Sequence, residues 1–303
     1  MLLIDVIRDA EAQLTAANVS FGHGTNNAFD EAVWLVLWSL GLPLDTPLDD
    51  PKDNPDSLAN RPLTPTECAG AASILGARIL TRKPVAYLTH EAWLQGVSFY
   101  VDERVIIPRS LIAELVVNGG FDYWLHPKTL RVLDLCTGNG SLAILTAMVF
   151  PEVTVVASDL SKDALAVASI NLDKHQLAHR VELVESDGLT SVDLRKSGTF
   201  ELILCNPPYV NADSMSALPP EYRAEPFIAL DGNASGSRDG MDFIRSLLTH
   251  ASEHLTPLGV LVLEIGNERA NFEAAFPHLD VVWLDTSAGD DQVLLLTREA
   301  LLK

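Results

Sequence analysis

Phe200-Glu201-Leu202-Ile203-Leu204-Cys205-Asn206-Pro207-Pro208-Tyr209 joins an almost wholly apolar run to an abrupt stop. The run reads as a buried strand. Two consecutive prolines fix φ and remove two backbone donors. The strand must therefore end, and its loop must leave stiffly with Asn206 and the Pro207 carbonyl held at the sheet edge. This arrangement offers two rigid hydrogen-bond acceptors beside the Tyr209 ring. A planar NH2 group suits it, because its two hydrogens need two acceptors and its flat face needs a ring to lie on. On these residues alone the bland alternative, a strand followed by a proline-rich turn, stays open.

Outward from this stretch, the chain from residue 130 alternates strands and helices. Strands are expected at 130–135, 153–158, 180–185, 200–205 and 258–264, with helices at about 140–149, 162–175 and 238–254. Such alternation predicts a doubly wound parallel sheet. The runs Leu279–Leu284 and Gln292–Thr297 are separated by only a short polar segment. That spacing favours an antiparallel pair, since a parallel crossover needs a dozen or more residues.

The first part of the chain differs. Apolar residues at three- and four-residue spacing (Leu2, Val6, Ala10, Leu14; Ala32, Val33, Val36, Leu37, Leu40) predict helices over 2–17 and 26–40, and a third helix is expected over 65–81. The small residues Ala69, Gly70, Ala71 and Ala72 are expected to permit close packing of that helix, and Trp34 and Trp38 to sit in the core. The stretch from Asp45 to Pro65, rich in Pro and Asp, reads as a surface loop or partly disordered segment. Residues 91–101 read as two short strands about a Gln95-Gly96 turn. The expected organisation is a small all-α domain over 1–85, a hairpin linker over 86–109 and an α/β domain over 110–303.

After the first strand of the α/β region comes Asp134-Leu135-Cys136-Thr137-Gly138-Asn139-Gly140-Ser141, opening a helix. Its glycines allow a tight turn and a close approach of ligand to backbone at a helix N-terminus. The next strand ends at Ser158-Asp159, with Asp159 nineteen residues past Gly140, where a carboxylate can accept both hydrogens of a ribose diol. The third ends near Asp187-Gly188, where a second carboxylate suits an adenine amino group. Open parallel sheets bind ligands at these carboxyl ends. An adenosine ligand is indicated, and the turn by itself fits a dinucleotide as well as S-adenosylmethionine.

Composition narrows the partners. Among 303 residues, 21 are basic and 41 acidic, a formal charge of -20, which repels nucleic acid and anionic membrane surfaces and favours a basic partner. Cys68, Cys136 and Cys205 lie far apart in the sequence without paired spacing and read as reduced thiols. With charge appearing at once after Met1 and no apolar stretch of bilayer length, the expected location is the cytoplasm. His250 and His254 are spaced four apart on an expected helix, but no third ligand accompanies them. They read as surface residues and no metal is expected.

The constellation resembles class I, Rossmann-like methyltransferases, and more narrowly the HemK/PrmB family of protein-glutamine methyltransferases. Carrying the resemblance are the helical N-terminal domain, Pro84-Val85-Ala86-Tyr87-Leu88-Thr89, Phe99–Ser110, Asn206-Pro207-Pro208-Tyr209, Glu225-Pro226-Phe227-Ile228-Ala229-Leu230-Asp231-Gly232 and Leu263-Glu264-Ile265-Gly266. Ser110-Leu111-Ile112-Ala113-Glu114 stands where release-factor enzymes usually carry Pro-Glu-Thr-Glu. With Tyr100–Arg104, that is similar to the PrmB branch, which acts on ribosomal protein L3.

The resemblance implies S-adenosylmethionine as cofactor, bound by Asp134, Cys136, Thr137, Gly138, Asn139, Gly140, Asp159, Leu160, Asp187, Gly188 and Asn206. It implies Asn206, Pro207, Pro208 and Tyr209 as the catalytic loop, with Phe99, Pro108 and Arg109 as possible lining. Phe99 is expected to supply aromatic packing that Gly188 does not. For Arg109, a surface salt bridge competes with contact to cofactor or substrate. The implied reaction is methylation of a glutamine side-chain amide in a basic ribosomal protein, with the helical domain recognising substrate. Glutamine methylation of a release factor and amino-group methylation of DNA or rRNA bases remain as alternatives.

Overall fold

A computed structural model describes residues 1–49, 54, 56–126 and 129–303. The expected loop from Asp45 to Pro65 includes residues 50–53 and 55, which lie outside the described residues. The chain divides into two units, Met1–Glu91 with Leu218–Ala224, and Ala92–Ala217 with Glu225–Lys303. Residues 86–91, expected in the linker, therefore group with the helices.

The first unit is built from α1 (Leu3–Ala16), α2 (Ala28–Ser39), α3 (Pro65–Thr81) and the short α4 (Val85–Thr89). Leu3, Ile7, Ala10 and Leu14 of α1 and Leu35 and Leu37 of α2 are buried, so one apolar stripe of each helix faces the core. Local chemistry sets the starts. Asn27 accepts from the Asp30 amide, and Thr64 and Glu67 form a reciprocal capping box with Pro65 in the first turn. Of the four small residues of α3, only Ala71 is buried, so close packing does not explain the others. Trp34 is buried against Gly24, but Trp38, in the last turn of α2, is 39% exposed and is not core.

A buried ionic cluster completes this unit. The Arg78 Nε donates to Glu31 at 2.7 Å, its Nη1 lies 3.4 Å from Glu221, and Arg82 Nε lies 2.9 Å from the same Glu221 oxygen. Burial raises the Glu31 carboxyl against the lowering effect of Arg78. Glu221 belongs to the segment Leu218–Ala224, so this charge cluster holds a late piece of chain among the early helices. Removing one partner of such a pair leaves an uncompensated buried charge, costing about 3–5 kcal/mol.

The second unit opens with β1 (Ala92–Leu94) and β2 (Val97–Phe99), paired antiparallel with Leu94 opposite Val97. Then follow α5 (Ile112–Asn118), β3 (Arg131–Leu135), α6 (Ser141–Val149), β4 (Thr154–Asp159), α7 (Lys162–Lys174), β5 (Val181–Glu185), α8 (Val192–Lys196), β6 (Phe200–Cys205) and α9 (Ala212–Ala217). The unit ends with α10 (Asp242–His254), β7 (Leu255–Glu264), α11 (Arg269–Ala275), β8 (Val282–Thr286) and β9 (Gly289–Thr297). The seven-stranded sheet runs β5-β4-β3-β6-β7-β9-β8, parallel from β5 to β7. Strand β9 pairs antiparallel with both β7 and β8.

Alternate residues of the central strands feed two cores. Val132, Leu202, Leu204, Val260 and Val262 pack on one face, and Leu133, Leu135, Ile203, Cys205, Leu261 and Leu263 on the other. Burial on both faces is why β6 reads as a continuous apolar run. Each fully buried aliphatic side chain contributes roughly 1.5–3 kcal/mol.

Strand order reverses between β3 and β6. Their register pairs Leu135 with Cys205, so the next residues, Cys136 and Asn206, emerge together at the carboxyl edge where the two connections diverge. No helix among the described residues is long and apolar enough to cross a membrane.

Candidate active site

The turn after β3 is organised by two carboxylates. Asp134 is fully buried, and its Oδ2 accepts from the Thr137 hydroxyl and, at 3.0 Å, from the Ala143 amide in the first turn of α6. Burial pushes its carboxyl up to about 7. Asp159, at the end of β4, accepts from the amides of Gly138 and Ser161, each at 2.9 Å. Burial raises this group too. The second strand thus pins the turn of the first. Gly140 has φ +82, where a side chain is strained, and a Cβ there would press on Ala168 of α7 at 3.2 Å.

Asn171 is a residue that the motif reading missed. Fully buried on α7, it accepts from the Tyr100 amide at 2.7 Å and donates to the carbonyls of Tyr100 at 3.0 Å and Asn139 at 2.9 Å. It ties the stretch after β2 to the glycine turn. A lone helical Asn carries no sequence signal for this. Ile106 reaches the same turn, 3.7 Å from where a Gly138 Cβ would stand.

The outer residues are open. Leu160 is 49% exposed, and the exposed Asp187 and Leu160 line a cleft of about 660 Å³ that runs outward along β5. Gly188 has its own aromatic neighbour: a Cβ there would lie 3.6 Å from the Phe243 ring on α10. Phe99, expected to fill that role, is instead fully buried in the sheet core beside His175, with ring centroids 5.5 Å apart, and is no lining residue.

The loop after β6 contrasts with this turn. Asn206 is half-buried and Pro207 buried. Among the described residues nothing donates to the Asn206 side chain or to the Pro207 carbonyl. Tyr209 lies against Gly266, whose φ is +53 and whose Cβ would stand 2.6 Å from the ring. Its phenol is raised by burial and by the neighbouring Glu264. Beyond it, the Asn211 amide side chain donates to Glu268 at 2.7 Å, and Val210 exchanges backbone hydrogen bonds with Leu230 and Gly232 at 2.9 and 3.1 Å.

The remaining motifs meet here. Buried Glu264 accepts from the Ser110 hydroxyl at 2.6 Å and the Leu111 amide at 2.9 Å. Arg109 makes a two-pronged pair with buried Glu225 at 2.6 and 2.7 Å, and the same carboxylate accepts from the Ile107 amide at 2.9 Å. Arg109 thus makes an ion pair, one of its two expected readings, but with a buried carboxylate and not a surface one. Pro108, between these contacts, is buried.

Cys136 and Cys205, distant in sequence, are neighbours across β3 and β6, and contact with Cys205 together with burial raises the Cys136 thiol. All three cysteines are free thiols. His254, expected on the surface, is 4% exposed at the end of α10, and burial lowers its imidazole. His250 is half-buried against the Ser246 carbonyl at 2.8 Å. Among the described residues no group of three or more His, Cys, Asp or Glu could hold a metal ion.

The donor set at the turn fits S-adenosylmethionine. Beside the Gly138–Gly140 backbone, Asp134 Oδ1, Asn139 Nδ2 and Ser158 Oγ are buried without a protein partner, a costly arrangement that a polar ligand would relieve. A cationic ligand beside the buried Asp134 carboxyl would favour its ionised form and oppose the rise that burial causes.

Comparison with known proteins agrees. The model of the Methyltransferase small domain matches residues 123–218. The ribosomal protein uL3 glutamine methyltransferase of Bordetella pertussis is 48% identical over 300 residues, covering 99% of this chain and 96% of that protein. That of Neisseria gonorrhoeae is 45% identical over 303 residues, covering 98% and 95%. Among solved structures, the hMettl16 catalytic domain in complex with MAT2A 3'UTR hairpin 1 aligns with TM-score 0.51 at 14% identity, over 77% of this chain and 80% of that one. This last likeness concerns the fold.

Proposed function

The chain belongs to the ribosomal protein uL3 glutamine methyltransferase family, and we propose that it methylates the side-chain amide nitrogen of a glutamine in that basic ribosomal protein, in the cytoplasm. One observation carries the site assignment. The Asn206 side chain and Pro207 carbonyl are held at the end of β6, beside the glycine turn, with no donor among the described residues satisfying either.

When bound, S-adenosylmethionine supplies an electrophilic sulfonium methyl group. Asp134, Cys136, Thr137, Gly138, Asn139 and Gly140 would hold it on the inner wall, Asp159 would accept from the ribose, and Leu160, Asp187, Gly188 and Phe243 would hold the adenine. The Asn206 oxygen and Pro207 carbonyl each accept one hydrogen of the target amide. An amide nitrogen is a poor nucleophile, so fixing its orientation is the main contribution, and alignment can supply roughly 7–11 kcal/mol. Pro208 stiffens the loop. Tyr209, braced by Gly266, excludes water at one side. A glutamate would set an oxygen against two acceptors, and sites built for such hydrogen bonds reject unmatched analogues by about ten-thousand-fold.

The helical unit is assigned to substrate recognition, and the charge of -20 to steering a basic protein while repelling nucleic acid and anionic membranes. Transfer of labelled methyl to purified uL3, release factor and rRNA in parallel tests the reading. Labelling confined to uL3 is expected, and labelling of release factor or rRNA alone would overturn it.

A further inference from the structure

The site described above leaves one apolar feature unused. Phe227 and Ile228, consecutive on a short 3-10 turn, are 67% and 54% exposed, whereas Leu230, two residues on, is 5% exposed. The turn is not a loose tip. Ala229 donates to the Pro226 carbonyl at 2.9 Å, and Leu230 and Asp231 to the Phe227 carbonyl at 3.1 and 3.0 Å. At its start Glu225 is buried and paired with Arg109. At its end a parallel bridge joins Asp231 to Val210, which directly follows Tyr209. Two large side chains are thus held out to water by a backbone secured at both ends, next to the loop that carries Asn206.

We propose that Phe227 and Ile228 form an apolar docking ledge for the polypeptide segment flanking the target glutamine, packing against an apolar side chain beside it. This deepens, and rests on, the reading under Proposed function. A glutamine side chain is short, so the backbone carrying it must pass over the residues that border Asn206, and the hydrogen bonds to Val210 place the ledge on that border. Charge steers a basic partner from a distance but fixes no register, whereas exposed aromatic and aliphatic anchors do. A second copy of this chain is a poorer occupant, because two side chains fall far short of the roughly 1,200 Å² that a stable interface buries. An anionic membrane is repelled by the net charge of -20.

The test compares the full-length protein with a Phe227→Ser, Ile228→Ser double variant, using purified uL3 and S-adenosylmethionine. Both side chains are exposed, so thermal stability is expected to hold. The expected result is a KM for uL3 raised roughly 10- to 30-fold, with kcat at saturation and KM for S-adenosylmethionine within about twofold. A Phe227→Leu, Ile228→Val variant should recover most of the loss. An unchanged KM for uL3, or a change in oligomeric state in place of a change in KM, would overturn the ledge alone. Failure of the unaltered protein to methylate uL3 would overturn the ledge together with the function it rests on.

Discussion

The glycine turn after β3 and the acceptor loop after β6 lie side by side but are built in opposite ways. The turn is held by polar side chains that bond to it directly: Asp134 binds Thr137 and Ala143, Asp159 binds Gly138 and Ser161, and Asn171 binds the Asn139 carbonyl. The acceptor loop is held from afar, by Gly266 under Tyr209, Glu268 on Asn211 and residues 230–232 on Val210. Its own Asn206 and Pro207 acceptors are left open among the described residues. A cofactor site can be rigid through local hydrogen bonds because its ligand arrives on the backbone. An acceptor site must keep its hydrogen-bonding groups unspent, so its rigidity comes from prolines and from distant packing.

The largest break in this contrast is Asn206→Ala. It removes an open acceptor without touching the supports, so kcat should fall roughly 10²–10³-fold, the loss seen when one preorganised hydrogen-bonding group is deleted, while S-adenosylmethionine affinity changes little. Near-normal turnover would end the assignment. Asp159→Ala attacks the other side. It deletes both a ribose acceptor and the pin on Gly138, and calorimetry should show cofactor affinity reduced by about 10- to 100-fold, since hydrogen bonds to charged groups contribute around 1.5–3 kcal/mol.

Gly266→Ala tests remote support. With φ at +53 and a Cβ 2.6 Å from the Tyr209 ring, it should cost about 1–3 kcal/mol of stability and lower kcat severalfold, leaving cofactor binding close to normal. A variant with unchanged kcat would show that Tyr209 need not be braced.

The smallest effect is on pH. Asp134 has its carboxyl raised from 3.8 to about 7, so the folded chain holds a proton that the unfolded chain has released. The stabilisation from the neutral form is complete below about pH 4 and is lost as pH rises through 7. Asp134→Asn should therefore flatten the dependence of Tm on pH between about 4 and 7. For the unaltered protein, affinity for the cationic cofactor should rise severalfold across the same interval, as ionised Asp134 becomes available. A pH-independent affinity would place the cationic group elsewhere.

Longer elements were legible because a strand buried on both faces is apolar throughout and a long amphipathic helix repeats its stripe. Helices α4, α5, α8, α9 and α11 are five to seven residues each, too few turns to show a period. The misplaced side chains share another cause. Type and spacing misread Phe99, Trp38 and His254, because burial depends on what the fold brings opposite them. Asn171, Phe243 and Glu268 were missed because a single Asn, Phe or Glu on a helix or in a loop carries no local mark of its long-range partner.

Legible in the residue order alone were the parallel sheet with its antiparallel end, the cofactor turn and the Asn206–Tyr209 loop, which carry the family resemblance. Each of these is written in consecutive residues whose φ restrictions, donors and apolar period act locally. Folding makes Cys136 and Cys205 neighbours, gives Arg109 to Glu225, groups Leu218–Ala224 with the helical unit through Glu221, and leaves Phe227 and Ile228 exposed beside the acceptor loop. These rest on contacts between residues far apart in the chain, where side-chain identity fixes the strength of an interaction and the path of the backbone fixes its partner.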